Sequence, residues 1–546
     1  MENSKSQSDQ PTAEKPSGKW FPGRRQLIIV NVCFLLIVLA RWTAFSHDSS
    51  VPLIDLAVAN ILTLIFSFIM LVTLFIWFCW SSSYSRQAKR GVMFSIVGLI
   101  ALFAALFRVD STTGNMIPSF RFRWAKRADE ILTKAQPKPA ENVVDLATVS
   151  SDDFPQFLGP DRHPYLPNAK VTLQWPPRQK WKQPIGAGWS AFSVVNGFAV
   201  TMEQRGPDEL VTCYEAKTGE LRWAHAIEAR HETVLGGIGP RGTPTIHDGK
   251  VYACGATGVL RCLDGANGKE LWRQDLFKLV NTSQKQDEAV VAWGRAPSPL
   301  IVDNLVVVPG GGPAGGPFVS LIAFQKDTGE VAWKGGATQI GYASPVLGTL
   351  AGVRQIISVN ESNVTGHDPS NGKVFWTHEW PGASNGPASN SQPVIVGEDR
   401  LLLSKGYGVG SSLISLDKPS EPDGAWNINT LWHKPNVLKT KFTNVVVKDG
   451  FVYGLSDGIL ECVDLATGRS RWKRGRYDHG QILGVKDKLL VLSEAGDLIL
   501  VSARPERPDE LGRIQALNGQ TWNNLCLSGH LLLIRNGEEA ACFEVE

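Results

Sequence analysis

Apolar residues are distributed along this chain in two different ways. Up to Phe107 they form long uncharged runs: Leu27 to Ala40 (reaching Phe45 if Arg41 snorkels to an interface), residues 56–80, and Gly91 to Phe107. The second run is long enough to span about 30 Å of hydrocarbon, and all three are predicted as transmembrane α-helices. From residue 152 onward the apolar residues fall instead into short, strand-like stretches closed by turns.

Within that second region one phrase recurs five times: a small residue, usually an acid two positions on, then Thr/Asn-Gly, then Trp. It reads Cys213, Glu215, Thr218-Gly219, Trp223, and again Cys262, Asp264, Asn267-Gly268, Trp272. Ala323, Thr328-Gly329, Trp333 follow, then Gly366, Asp368, Asn371-Gly372, Trp376, and Cys462, Asp464, Thr467-Gly468, Trp472. A repeat of roughly 40 to 60 residues built from short strands predicts a β-propeller. The Gly supplies positive φ for a tight hairpin turn, and the acid accepts hydrogen bonds from backbone N–H groups around it. The Trp is placed to fill the wedge between neighbouring blades, and the small residue leaves room where the next sheet approaches.

Inner strands are predicted to begin at Ser190, Gly242, Ser298, Ser344, Gln392, Thr443, Gln481 and Asn523, which makes eight blades. The fifth replaces its turn with an insertion, Asp417 to Asn429, before Trp432, and the seventh has no Trp near Gly512. The eighth has only three strands before Glu546. Its missing strand is expected upstream at Gln179 to Gln183, with Trp181 in the vacant Trp place, and such closure removes free sheet edges. The fold class is therefore all-β, an eight-bladed β-propeller preceded by three transmembrane α-helices.

Four segments result: a cytoplasmic tail (1–25), a membrane domain (26–107), a linker (108–151) and the propeller (152–546). Lys5, Lys15, Lys19, Arg24 and Arg25 precede the first span, and Arg86, Lys89 and Arg90 lie in the second loop. The first loop, with His47, Asp48 and Asp55, has no cation after Arg41. The positive-inside rule then places the N-terminus in the cytoplasm and the propeller on the periplasmic side of the cytoplasmic membrane. Arg121, Arg123, Lys126 and Arg127 run mildly against this, although long domains translocate largely regardless of charge. Arg24-Arg25 resembles the start of a signal peptide, but two further spans make it a retained anchor. Ile117 to Lys134 is expected to be either a basic amphipathic helix at the membrane surface or an ordinary linker helix. Gln136 to Ser151 reads as a tether.

The net charge is +3 over 546 residues, with cations scattered, so nothing points to nucleic acid. Of eight cysteines, Cys213, Cys262, Cys462 and Cys542 share the small position of the phrase. Adjacent sheets pack about 10 Å apart, beyond disulfide reach, so they are expected to be unpaired.

The phrase resembles the repeat of quinoprotein dehydrogenases and of their cofactor-free relatives, the PQQ-like propellers, including the BamB-like lipoprotein of the outer-membrane β-barrel assembly machinery. The opening Phe154-Pro155-Gln156-Phe157-Leu158-Gly159-Pro160-Asp161-Arg162 is similar to the Trp-Pro-Gln-Phe-x-Gly-Pro-x-Arg start of many bacterial PQQ-like propellers, with Phe154 in place of Trp. Quinoprotein dehydrogenases carry a vicinal Cys-Cys lid, Ca²⁺ ligands and an Asp base. This chain has no adjacent cysteines and no Cys-x-x-Cys-His for a haem. Gly237-Ile238-Gly239-Pro240-Arg241-Gly242 matches G-x-G-x-x-G, but a strand rather than a helix is expected after it. No catalytic or metal-binding residues are assigned, and no cofactor is expected.

Loops feeding the inner strands converge on the funnel mouth. There the sequence places Trp189, Arg241, Trp293, Arg295, Tyr342, Asn390, Lys441 and Trp522, with Asp478, His479 and Asn523 nearby, as a surface for an anionic or sugar-like ligand or a partner's peptide. The insertion Gln274 to Val291 is expected to be an exposed loop available to a partner. The favoured function is a membrane-anchored scaffold with an envelope protein partner, as in BamB-like proteins. The alternative is a PQQ-dependent alcohol or sugar dehydrogenase feeding electrons to the membrane.

Overall fold

The computed structural model describes residues 19–45, 54–132, 135, 143–421 and 424–546. Lys5, Lys15, His47 and Asp48 lie outside the described residues. The chain divides into two compact units, one holding residues up to Asp110 with Met116–Trp124, the other Ser111–Asn115 with Ala125–Glu546.

The first unit contains helices Arg24–Phe45, Leu56–Ile76 and Arg86–Leu106, the second continuing into a π-turn at Trp77–Ser81. Among the described residues these three are long and apolar enough to cross a membrane. Asp55 starts the second helix by accepting from Ala57 N (2.8 Å), and Ser85 starts the third by accepting from Ala88 N (3.2 Å). Beyond the third helix neither the amphipathic helix nor the linker helix expected over Ile117 to Lys134 forms. Phe107–Thr112 and Pro118–Phe122 form a two-stranded sheet, and among the described residues of this stretch only Ala128–Ile131 is helical. The alternation Phe120, Phe122 is a strand period, and Phe107 stacks on Phe122 with centroids 4.5 Å apart.

The second unit is a ring of eight blades, each built on four antiparallel strands, the seventh gaining a fifth. The first blade comprises Ser193–Val195, Phe198–Arg205, Asp208–Glu215 and Leu221–Glu228. The eighth comprises Cys526–Ser528, Leu531–Arg535 and Glu539–Glu544, completed by Arg178–Pro184, whose Trp181 pairs with Cys542. The closure read from the sequence is the one observed.

Each part of the repeated phrase has a distinct place. The small residue stands directly across the ladder from its own Trp: Cys213 from Trp223, Cys262 from Trp272, Ala323 from Trp333, Gly366 from Trp376, Cys462 from Trp472. A bulge follows one residue later in every case, and it turns the indole toward the next blade. There its ring covers the turn glycine. A Cβ on Gly219, Gly268, Gly329 or Gly468 would lie 2.9, 2.6, 2.6 and 2.7 Å from the indole of Trp181, Trp223, Trp272 and Trp432. Gly372 lies under Trp333 in the same way. The indole N–H donates to a carbonyl of that same turn: Trp223 to Gly265, Trp272 to Lys326, Trp333 to Pro369 and Trp432 to Leu465, at 2.9–3.1 Å. Trp376 faces the fifth blade, which lacks the turn, and donates to Gln355 Oε1 instead (2.6 Å). The seventh blade carries Gly512 at the Trp place, opposite Leu500, and Trp175 from upstream fills the space over it.

A second ring of bonds runs around the axis at the start of the inner strands. Ala191 N donates to Thr243 Oγ1, Thr243 N to Ser298 Oγ and Ser298 N to Ser344 Oγ, at 3.0, 2.9 and 2.8 Å. Gln392 exchanges two bonds with the Ser344 backbone, and its own N–H donates to Asn444 Oδ1. Gln481 Nε2 reaches the carbonyls of both Phe442 and Trp522, and Asn523 Nδ2 those of Gly188 and Ser190. Every pair of neighbouring blades is thereby linked.

The segment after Phe154 runs across the inner strands. Phe154 pairs with Val194, the Pro155 carbonyl accepts from Ile246 N, and buried Arg162 donates to the carbonyls of Ser298 and Pro299. His163 Nε2 accepts from Val447 N, and Tyr165–Leu166 adds a parallel strand beside Gln481–Val485. Upstream of it, the described part of the expected tether is packed down: Val144 and Leu146 are buried against Trp223, Val251 and Leu263. Residues 136–142 lie outside the described residues.

Candidate functional site

The aromatic residues named from the sequence form two arcs at the mouth. In the first, Trp189 and Trp522 lie with ring centroids 4.8 Å apart, Trp522 and Phe442 4.8 Å, and Phe442 and His479 5.3 Å. In the second, Trp293 sits 5.3 Å from Tyr342 and 6.4 Å from Tyr407, and the Lys441 ammonium lies 5.6 Å over the Tyr407 ring. Trp189, Trp293, Tyr407, Phe442 and Trp522 are half-buried. Asn390 is half-buried, and its Nδ2 contacts the Ala388 carbonyl (3.4 Å).

The cations named from the sequence have partners within the protein. Arg241 is committed to the backbone. Its guanidinium donates to the carbonyls of Trp293 (2.7 Å), Gly236 (2.7 Å), Gly237 (2.9 Å) and Gly239. The loop before the second blade has few sheet partners, so its carbonyls converge on one fork of donors. Burial pulls the pKa of Arg241 down to about 9, which leaves it charged at neutral pH. The glycine motif around it pairs Gly237–Ile238 with Glu232–Thr233 and leads into strand Thr245–His247, with no helix to receive a phosphate.

Arg295 is likewise committed. It forms a two-pronged pair with Asp287 (2.7 and 3.1 Å), donates to the Gly310 carbonyl (2.7 Å) and stacks over Phe277 (5.0 Å). Both ends of the pair are buried. Asp287 comes from the insertion read as an exposed loop. That insertion is folded instead, as helices Leu276–Leu279 and Gln284–Val290, with Ser283 and Gln286 forming a capping box. Its apolar positions Leu276, Phe277 and Val280 are buried, which a reading of its charged stretch Gln284 to Glu288 missed. Lys441 shares Asp457 with Lys439, at 3.8 and 2.6 Å. Burial raises the Asp457 pKa, but the two ammonium groups outweigh it and hold the carboxyl below its ordinary value.

Sequence reasoning missed Phe442, Tyr407 and Glu494. Phe442 occupies the place of Trp522, one residue before the inner strand's first polar side chain, and that equivalence was the available signal. Glu494 is buried and accepts from Trp522 Nε1 (3.1 Å) and His479 N (3.1 Å). His479 is buried beside Lys441, which drives its pKa down to about 3, so it is neutral at physiological pH.

These donors do not fit a redox quinone. The two arginines nearest the mouth have their N–H groups spent on backbone carbonyls and Asp287, and no group of three His, Cys, Asp or Glu suited to a metal ion occurs among the described residues. The eight thiols are free, and none is adjacent in sequence to another.

Comparison with known proteins gives the family. The family model described as outer membrane protein assembly factor BamB matches residues 178–474, more than half of the chain. Outer membrane protein assembly factor BamB of Yersinia pestis is 26% identical over 270 residues, covering 46% of this chain and 63% of that protein. The chain thus spans less than two thirds of the length of that relative. Quinoprotein alcohol dehydrogenase PedH of Pseudomonas putida is 26% identical over 191 residues, 34% of this chain and 29% of its own. Among solved structures, quinohemoprotein alcohol dehydrogenase from Comamonas testosteroni superposes with a TM-score of 0.54 at 14% identity, covering 72% of this chain and 80% of that one, a likeness of fold alone. With the repeat, the eight-bladed ring and the family match in agreement, the chain belongs to the BamB family of PQQ-like β-propellers.

Proposed function

We propose that the chain is a scaffold of the bacterial cell envelope, anchored in the cytoplasmic membrane by its three apolar helices, with the propeller on the periplasmic side binding a protein partner at its mouth. The observation that carries this reading is the mouth itself. It presents half-buried rings from several blades while its arginines are satisfied internally. Such a surface suits the side chains and backbone of a polypeptide better than a small anion, since aromatic rings contribute most where one face is apolar and one edge polar. The names of the relatives place those proteins in outer-membrane protein assembly, and an envelope partner for this chain is the corresponding expectation.

Affinity capture of the detergent-solubilised full-length protein, read by mass spectrometry, tests the partner. Recovery of the same envelope protein with wild type but not with Trp293→Ala or Trp522→Ala supports the reading, and no mouth-dependent partner overturns it. Topology is tested by Lys217→Cys, at an exposed turn of the first blade. It should react with a membrane-impermeant maleimide in cells whose outer membrane alone is permeabilised. Labelling only after complete lysis would put the propeller in the cytoplasm. The dehydrogenase alternative predicts dye reduction dependent on added quinone and Ca²⁺ across a panel of alcohols and aldoses, and we expect none.

A further inference from the structure

Between the seventh and eighth blades, the mouth carries a notch that is filled by the chain itself. Ser111–Asn115, the tip of the hairpin that follows the third apolar helix, belongs with the propeller unit. Gly114 N donates to Glu494 Oε1 (2.7 Å), the oxygen that also takes the Trp522 indole N–H. Asn115 Nδ2 donates to Asp478 Oδ1 (3.3 Å), and its Oδ1 lies 3.0 Å from His479 Nε2. Gln520 Nε2 donates to the Thr112 carbonyl (2.9 Å). Asn115 and Glu494 are both buried.

The notch is selective in its chemistry. A Cβ at the Gly114 place would overlap the His479 imidazole, so only glycine fits. The next residue must offer an acceptor to His479 and a donor to Asp478. Asparagine does both, whereas aspartate would set two carboxylates against each other. A neutral His479 keeps its Nε2 proton for this bond, in line with its depressed pKa. The Thr112 carbonyl is read through the backbone alone.

We propose that this notch is a receptor for a Gly-Asn polypeptide turn, that Ser111–Asn115 fills it as a tethered ligand, and that a partner's turn gains it only by displacing the tip. The proposal rests on the scaffold reading for its partner, but not for the notch. A tethered ligand competes at an effective concentration on the order of millimolar, so the notch opens only to a partner that binds well.

The test uses the full chain in detergent, as wild type, Gly114→Val and Asn115→Ala. Hydrogen exchange of the amides of Gly114 and His479, both bonded to Glu494, should accelerate about tenfold or more in the variants. The inner strand Leu300–Val302 should be unchanged, which reports an intact ring. A fluorescent peptide covering residues 110–118 should bind Gly114→Val saturably and wild type only at far higher concentration. The same peptide with Asn→Asp should not bind. Unchanged exchange in both variants would overturn the docked tip, and accelerated exchange with no peptide binding to either variant would overturn the receptor. Affinity capture from Gly114→Val separates the two readings. Peptide binding without any mouth-dependent partner sinks the scaffold and leaves the notch standing.

Discussion

The turn glycine of each repeat answers two demands at once, and they can be separated by substitution. Gly197 has φ +79° with open space around it, whereas Gly268 has φ +74° and an indole 2.6 Å from where a Cβ would be. Gly197→Ala meets only the left-handed backbone cost, about 1–2 kcal/mol. Gly268→Ala adds an overpacking cost of roughly 1–3 kcal/mol as Trp223 is pushed off. Melting of the full chain in detergent should show the larger loss at Gly268, and equal losses would mean that the indole moves freely. The cysteines of the repeat give a second residue-scale expectation. Burial pushes the thiols of Cys262, Cys462 and Cys542 up to about 12. The thiolate is the reactive form, so native protein should resist maleimide at these sites well into the alkaline range and label fully once unfolded.

At the scale of the element, Arg178–Pro184 is the strand on which the ring depends. Trp181 packs over Gly219 and donates to the Ala216 carbonyl (2.9 Å), as its counterparts do in other blades. Trp181→Ala is expected to cost about 3–5 kcal/mol, close to the cost of Trp472→Ala, when the two unfolding midpoints are compared. A near-neutral Trp181→Ala would mean that closure does not rest on this docking. This strand was legible from sequence because the phrase has a fixed spacing, so a gap in the eighth unit could be matched with a lone Trp upstream. Trp175 was not legible. It serves the seventh blade from outside the repeat, and only the contact with Gly512 reveals the relationship. The same holds for the mouth. Trp189, Trp293, Tyr342 and Trp522 follow the repeat and were found, whereas Phe442 was missed at an equivalent place, and the partners of Arg241 and Arg295 come from loops whose folding no period governs. The helices of residues 276–290 were hidden by length, since elements of four and seven residues leave little periodicity to read.

For the whole molecule, three histidines set an acid limit: His231 and His479, which are buried, and His163, which is half-buried. Burial holds His163 at about 4, and burial together with nearby cations holds His231 and His479 at about 3. His231 has Glu288 at 3.3 Å, yet burial and Arg241 prevail. All three lie below the value near 6.5 of an unfolded chain. As pH falls through 6.5 the unfolded state takes up protons that the folded state refuses. Stability is therefore full above pH 6.5 and declines below it, by up to about 1.4 kcal/mol per pH unit for each histidine, until the folded pKa is reached. Melting temperatures between pH 7 and 4.5 should fall accordingly, and His479→Gln should flatten the slope. A profile flat over that range would contradict the neutral state of these rings.

The closing strand also has a history in time. Arg178–Pro184 leaves the ribosome about 350 residues before Glu539–Glu544, the strand it pairs with, and at roughly 5–20 residues per second that is a wait of some 20–70 seconds. Throughout it, an unpaired edge is available to any other nascent chain. The strand's own composition answers the hazard: Arg178, Lys180 and Lys182 flank Trp181, and lysine-rich edges repel one another. When the late strand emerges, it brings Glu539 to Lys182 and Glu544 to Arg178 and Lys180. The charges that keep the early strand solitary are thus the ones that identify its mate.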